Sequence, residues 1–217
     1  MRTFFRIERR VATPSQARHY TIFPTELGWM GLLGTRSSIE RLTFGNKTAT
    51  AARASLGPES KAAMRDDVWF GDLVERLQAY ASGARDAFLD IAIDYAGLTP
   101  FQTAVVEECR RIPPGTAITY GDLASAAGRP GAARAVGNVM RKNRVPLIVP
   151  CHRVVGSGGK LHGYSAIGGL ATKKKLLSME LHAWLLEGAA ALADSAMPSP
   201  SQARFPRRKA AVSRQKS

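Results

Sequence analysis

Residues 119–140 read TYGDLASAAGRPGAARAVGNVM. A short helix opens at Thr119-Tyr120-Gly121-Asp122 and should end near Gly128. Arg129-Pro130-Gly131 then turns the chain, and a second helix follows over 132–140. Two short helices across a glycine-containing turn have the outline of a helix-turn-helix. The second helix is unusual in composition. Ala132, Ala133, Ala135 and Gly137 leave much of its surface without side chains, and Arg134 stands among them. Small residues let a helix backbone come close to another object. That object is either a neighbouring helix or a DNA groove read by shape, with one arginine reaching into the base stack.

Upstream, Gly97-Leu98-Thr99-Pro100 marks a boundary. Thr99 is a plausible N-cap with Pro100 in the first helical position, and Phe101, Val105, Cys109 and Ile112 then share one face until Pro113-Pro114-Gly115 stops the helix. Cys109 reads as a small core residue. Before this boundary, Tyr20–Phe23, Leu27–Leu33 and Ile39–Phe44 read as strands, with Gly34-Thr35 as the tightest turn. Asn46 and Thr48 could open a short helix over 49–56. Apolar residues at 69, 70, 73, 74, 77 and 80 predict a helix from Val68 to Tyr80 ended by Gly83, and Leu89–Ile93 predicts one more strand. This half is a small mixed α/β unit in which nothing suggests chemistry. The expected class is α+β, with an N-terminal domain over 1–96, a second domain over 97–182 and an extension over 183–217. From about residue 195 the extension reads as a disordered basic tail.

The 217 residues are 45% hydrophobic, enough for a packed core, and carry a net charge of +14. Residues 1–96 hold 13 basic and 11 acidic groups, whereas 97–182 hold 12 and 4. A polycationic second half favours a polyanionic partner, of which nucleic acid is the commonest, although a basic surface can also serve solubility alone. No apolar run reaches the ~18 residues of a membrane helix. The opening MRTFFRIERR has no stretch of signal-peptide length, so a cytoplasmic protein without membrane contact is expected. Two cysteines and four histidines at unhelpful spacings make a structural metal site improbable.

Residues 146–155 read PLIVPCHRVV. An apolar run delivers the chain to Pro150, and then Cys151, His152 and Arg153 arrive together. Apolar burial alone would leave the thiol inert, whereas a neighbouring imidazole, guanidinium or helix N-terminus favours the reactive thiolate. Adjacent residues on a regular element point apart, so Cys151 and His152 should communicate through a turn or a bridging water. Gly156-Ser157-Gly158-Gly159-Lys160 imitates a phosphate loop, but Val154 and Leu161 break the required spacing.

The series Pro150-Cys151-His152-Arg153-Val154, Arg134-Ala135-Val136-Gly137-Asn138 and Asn143 resembles the O6-alkylguanine-DNA alkyltransferases. So do Tyr120, Gly163-Tyr164-Ser165, Gly168-Gly169-Leu170 and Lys175-Leu176-Leu177, and the likeness is dense from about Thr99 to Glu180. It implies a ribonuclease-H-like N-terminal domain and a C-terminal helix-turn-helix domain of winged-helix type. By the same resemblance Cys151 accepts the alkyl group, His152 acts through a water as its base, Glu180 orients His152, and Asn143 braces the turns. Tyr120 would crowd the phosphate of the target nucleotide, and Arg134 would fill the space it vacates while helix 132–140 lies in the minor groove. Tyr164 or a neighbouring donor would protonate the leaving guanine, and Tyr164 and Ser165 would line its pocket. Met140 and Pro146 would supply apolar walls, and the backbone at Val154 and Cys151 would read the base edge. The substrate would be O6-alkylguanine in duplex DNA, with O4-methylthymine a further candidate, extruded because a stacked base is inaccessible. Transfer would be irreversible, one alkyl group per molecule, with no cofactor, no metal, and no obligate protein partner for a monomer. The loop Tyr164–Gly169 has two residues more than the shortest version in the family.

Three other readings compete. A noncatalytic lesion binder would need no acceptor, and Cys151 argues against it. A helix-turn-helix regulator would place base-reading side chains where alanines and glycine stand. A cysteine hydrolase usually draws nucleophile and base from distant segments.

Overall fold

The computed structural model describes residues 17–194. Strands β1 (His19–Phe23), β2 (Trp29–Thr35) and β3 (Ser38–Asn46) form an antiparallel meander, and the two-residue β4 (Met64–Arg65) adds to β1 in parallel, giving the order β3-β2-β1-β4. The alternation of β1 buries His19, Thr21 and Phe23. Strand β2 is buried from Met30 to Gly34 because both faces are covered. Met30 and Leu32 join the main core, while Gly31 lies against Leu56 beyond helix α1 (Ala49–Ser55). Thr48 caps α1 by accepting from the Ala51 N–H. Asn46, the other expected initiator, instead ends β3 and ties it to Trp29 and Ser55.

Three local expectations are corrected. The β2–β3 turn falls at Arg36-Ser37, since Thr35 pairs with Ser38. Gly34 lies inside the strand, where a β-carbon would stand 2.2 Å from the Ser38 carbonyl oxygen, so glycine here serves close approach at an irregular register. The second helix, α2 (Gly71–Ala81), starts three residues late because the Asp66 carboxylate holds the Val68 and Trp69 N–H groups in a turn and Phe70 adopts a left-handed φ of 52°. Leu89–Ile93 is not a strand. A single bridge joins Ile93 to Ile39, and the buried Arg110 guanidinium takes the carbonyls of Phe88, Leu89 and Ile91 that a ladder would have used.

Helix α3 (Pro100–Arg110) begins at a reciprocal capping box between Thr99 and Gln102 and buries Val105, Val106 and Cys109. A second such box, Thr119 with Asp122, starts α4 (Tyr120–Ala126), and α5 (Ala133–Arg141) follows the Gly128–Gly131 turn. These three helices pack together, and the parallel pair β5 (Ile118–Thr119) and β6 (Val154–Val155) fixes the start of α4 beside the segment after Cys151. Helix α6 (Gly169–Asp194) crosses residue 182 without interruption and presents Lys173, Leu176 and Glu180, one helical face, to the interior. One apolar core runs from Phe23 through Leu77 and Val105 to Leu176. No helix among the described residues is long and apolar enough to cross a membrane. The basic tail from residue 195 lies outside the described residues.

Candidate active site

The chain enters the site from the end of α5. Asn143 folds its side chain over the segment that follows. Its Nδ2 donates to the Val149 carbonyl at 2.8 Å and to the Cys151 Sγ at 3.2 Å, while Oδ1 accepts from the Val145 N–H at 2.9 Å. Leu147 within this loop has φ 73°, a conformation that costs a non-glycine residue ~1 kcal/mol. Its buried side chain and the Asn143 clamp hold it there. A single 3-10 turn, Cys151–Arg153, then sends the sulfur and the imidazole in different directions, and β6 carries the chain away.

His152 is fully buried, with Nε2 2.9 Å from Glu180 Oε1. A carboxylate can only accept, so Nε2 carries the proton and the Nδ1 lone pair is left facing inward. Nδ1 has no hydrogen-bond partner among the described residues. Glu180 is the hub. Arg153 donates to it from Nε at 2.9 Å and from its terminal nitrogen at 2.6 Å, Tyr80 donates at 2.6 Å, and the Gly115 N–H at 3.2 Å. Arg153 also reaches the Ile112 carbonyl at 2.7 Å. Burial raises the proton affinity of Glu180, but the donors from His152 and Arg153 overcome it and hold the carboxyl far below the usual carboxylate range. Burial likewise depresses the His152 imidazole, against the pull of Glu180, so the ring rests neutral. At Cys151 burial pushes the thiol up, while Asn143 and the Lys173 ammonium act in the opposite direction. The resting thiol is therefore protonated, with a neutral base on the next residue.

Cys151 borders a cleft of about 720 Å³ whose walls include Tyr120, Arg134, Gly137, Met140, Tyr164 and Ser165. Ala133 lines it as well. Among the described residues the Tyr164 hydroxyl has no hydrogen-bond partner, yet it is close enough to Cys151 for each group to shift the other's proton affinity. Arg134 and Ala135 are exposed on the outward face of α5. Four other expected positions lie around the cleft or behind it. Ala132 packs partly against the core, Ala135 stands outside the cleft, and Pro146 borders a separate cavity. Val154 is buried, with its carbonyl accepting from Lys173 Nζ at 2.5 Å, which leaves at most the second lone pair for a base.

Sequence reasoning missed three members of this site. Tyr80 is on α2, in the half that seemed to hold no chemistry, and its place on an apolar stripe hid the hydroxyl. Arg153 stands in the recognisable motif without an assigned role. Lys173 is fully buried within a run of three lysines, and only its alignment with Leu176 and Glu180 on α6 could have marked it as internal.

The model of the family described as "6-O-methylguanine DNA methyltransferase, DNA binding domain" matches residues 100–182. The methylated-DNA–protein-cysteine methyltransferase of Mycobacterium tuberculosis is 37% identical over 162 residues, covering 75% of this chain and 92% of that protein. The crystal structure of the M. tuberculosis O6-methylguanine methyltransferase superimposes with a TM-score of 0.64 at 35% identity, covering 76% of this chain and 93% of that one. The structure of M. tuberculosis OGT in complex with DNA gives 0.63 at 35% identity over 76% and 94%.

Proposed function

This chain belongs to the methylated-DNA–protein-cysteine methyltransferases, and from that premise we propose that Cys151 is its alkyl acceptor and His152 its base. The protein is a DNA-binding repair methyltransferase that takes an alkyl group from alkylated DNA. The observation that carries the assignment is the position of Cys151, at the edge of the cleft beneath α5 and one residue from a neutral imidazole backed by Glu180 at 2.9 Å.

The chemistry follows from these groups. The thiol gives its proton, through a water, to Nδ1 of His152, and the Nε2–H to Glu180 bond stabilises the imidazolium that forms. The Asn143 N–H and the Lys173 charge stabilise the thiolate. Sulfur attacks the alkyl carbon as the carbon–O6 bond breaks, and the departing guanine takes a proton from the Tyr164 hydroxyl, which the proton held on His152 replaces. A thioether offers no return path, so each molecule acts once.

Helix α5, with Ala133, Ala135 and Gly137 presenting almost no side chain, suits close approach to a minor groove. Arg134 is placed to occupy the gap left by an extruded base, and Tyr120 to crowd its phosphate. Met140 and Ser165 complete the wall around the guanine. The sheet order β3-β2-β1-β4, with β4 parallel to β1, supports a ribonuclease-H-like unit over 1–96. Helices α4 and α5 beside the β5–β6 pair support a winged-helix type of unit over 97–182. We read the protein as a monomer of the cytoplasm.

The test is intact-protein mass after mixing with a duplex that carries one O6-methylguanine, followed by peptide mapping. The expected result is a gain of one methylene on the Cys151 peptide, and no gain in Cys151→Ala, which should keep most of its DNA affinity because phosphate contacts lie elsewhere. Transfer that persists in Cys151→Ala would move the acceptor to Cys109.

A further inference from the structure

Cys151 borders a second cavity, of about 240 Å³, that opens toward β3 instead of α5. Tyr164 and Ser165, like Cys151, border both cavities, so the three residues stand where the two meet. A displacement keeps sulfur, carbon and oxygen in line, so whatever that carbon carries projects sideways from the reaction axis. With guanine in the larger cleft, the smaller cavity is the space beside the thiol left for the outer part of an alkyl group.

Its lining differs in kind from the first. Arg41 and Thr43 come from β3, Arg144 from the loop after α5, and Ala166 and Ile167 from the loop that carries the additional residues. Ile167 reaches across to Gly45, lying 3.4 Å from where a β-carbon would stand there, so this loop closes over the cavity against the N-terminal sheet. Two arginines thus border a pocket that needs no charge to hold a methyl group. The Glu59 carboxylate bears on both. It meets Arg41 at a loose 3.7 Å and is itself half in solvent, and Arg144 forms no ion pair among the described residues.

We propose that this cavity is a subsite for the outer part of the alkyl group, and that Arg41 and Arg144 select O6-alkylguanines whose alkyl chain ends in a carboxylate. The inference rests on the reading of Cys151 as the acceptor. In the reaction the sulfur–carbon bond forms at the methylene as the carbon–O6 bond breaks. The electron pair leaves with guanine, whose protonation offsets the proton lost by the thiol. The carboxylate stays unchanged on the new S-carboxymethylcysteine and remains beside the two arginines.

The test compares three duplexes, carrying O6-carboxymethylguanine, O6-propylguanine as a neutral group of similar size, and O6-methylguanine. Transfer rates are read by intact mass for the full chain and for the Arg41→Gln/Arg144→Gln double variant. The proposal expects the wild type to favour carboxymethyl over propyl, and the double variant to lose roughly tenfold of that ratio. Methyl transfer should be unchanged, which also shows that the variant is folded. A wild type without the preference, or a variant that keeps it, overturns the proposal. Equal slowing on all three duplexes overturns it too, and assigns the arginines to the DNA backbone. Failure of the wild type to accept even the methyl group refutes the acceptor reading itself, and the subsite with it.

Discussion

Tyr80→Phe removes one oxygen from the molecule and tests whether the N-terminal half braces the reacting groups. The hydroxyl donates to Glu180 Oε1 at 2.6 Å, and both side chains are buried. A buried hydrogen bond to a charged group contributes ~1.5–3 kcal/mol. The ring itself stays, packed edge-on against Phe88 at a centroid distance of 5.7 Å, so no cavity term is added beyond the missing oxygen. Glu180 keeps Arg153, His152 and the Gly115 N–H, which rules out the larger penalty of an abandoned buried charge. The expected loss is therefore about 2 kcal/mol, seen as a fall in the urea midpoint of roughly 1 M and in Tm of roughly 4–8 °C. Methyl transfer, followed by intact mass, should slow by less than about tenfold because the His152–Glu180 contact survives. A stability within about 0.5 kcal/mol of the wild type would refute the reasoning, since that is the size expected of a surface substitution with no structural role.

Acid should destabilise the protein in two stages. The folded His152 value lies below the ordinary 6.5, so as the pH falls through 6.5 the unfolded chain binds a proton that the buried imidazole refuses. The folded Glu180 value lies far below 4.5, so its contribution is present above 4.5 and is lost as the pH falls toward the folded value. Urea midpoints measured from pH ~7.5 to pH ~4 should fall throughout and steepen at the acid end, and a flat profile would contradict both directions. Lys173→Met should move the pH profile of methyl transfer to higher pH, because the ammonium that lowers the Cys151 thiol is gone. A slower reaction with an unmoved profile would make Lys173 purely structural. Arg134→Ala should slow transfer from duplex DNA by about tenfold or more while sparing the free base O6-benzylguanine, because an extruded base needs a filled gap and a free one does not. Equal slowing on both would argue against that role.

The helices around the site were legible because their signals are local. Thr99-Pro100, Thr119–Asp122 and the Gly128–Gly131 turn each act within a few residues, and a capping box needs no partner from elsewhere in the chain. The strand expected at Leu89–Ile93 failed for the opposite reason. Its fate is decided by Arg110, about twenty residues away, which competes for the same carbonyls. The segment around Cys151 stands out by its order of residues, but the hub around Glu180 does not. Tyr80 meets it from a hundred residues away, and a side chain that is apolar in ring and polar at its tip leaves the same periodic trace as phenylalanine. Lys173 was hidden by its two exposed neighbours, since a run of like charges reads as a solvated face until the helix phase is known.

The distances along the chain that separate the partners of Glu180 bear on how such a protein is made. Tyr80, Gly115, His152 and Arg153 all leave the ribosome before Glu180 does, and none of them can close the network without it. Until α6 is synthesised and docked, Cys151 is an ordinary thiol on an unfinished polypeptide, with no oriented base beside it. On the proposed assignment of Cys151, a reagent used only once gains its oriented base only when α6 docks.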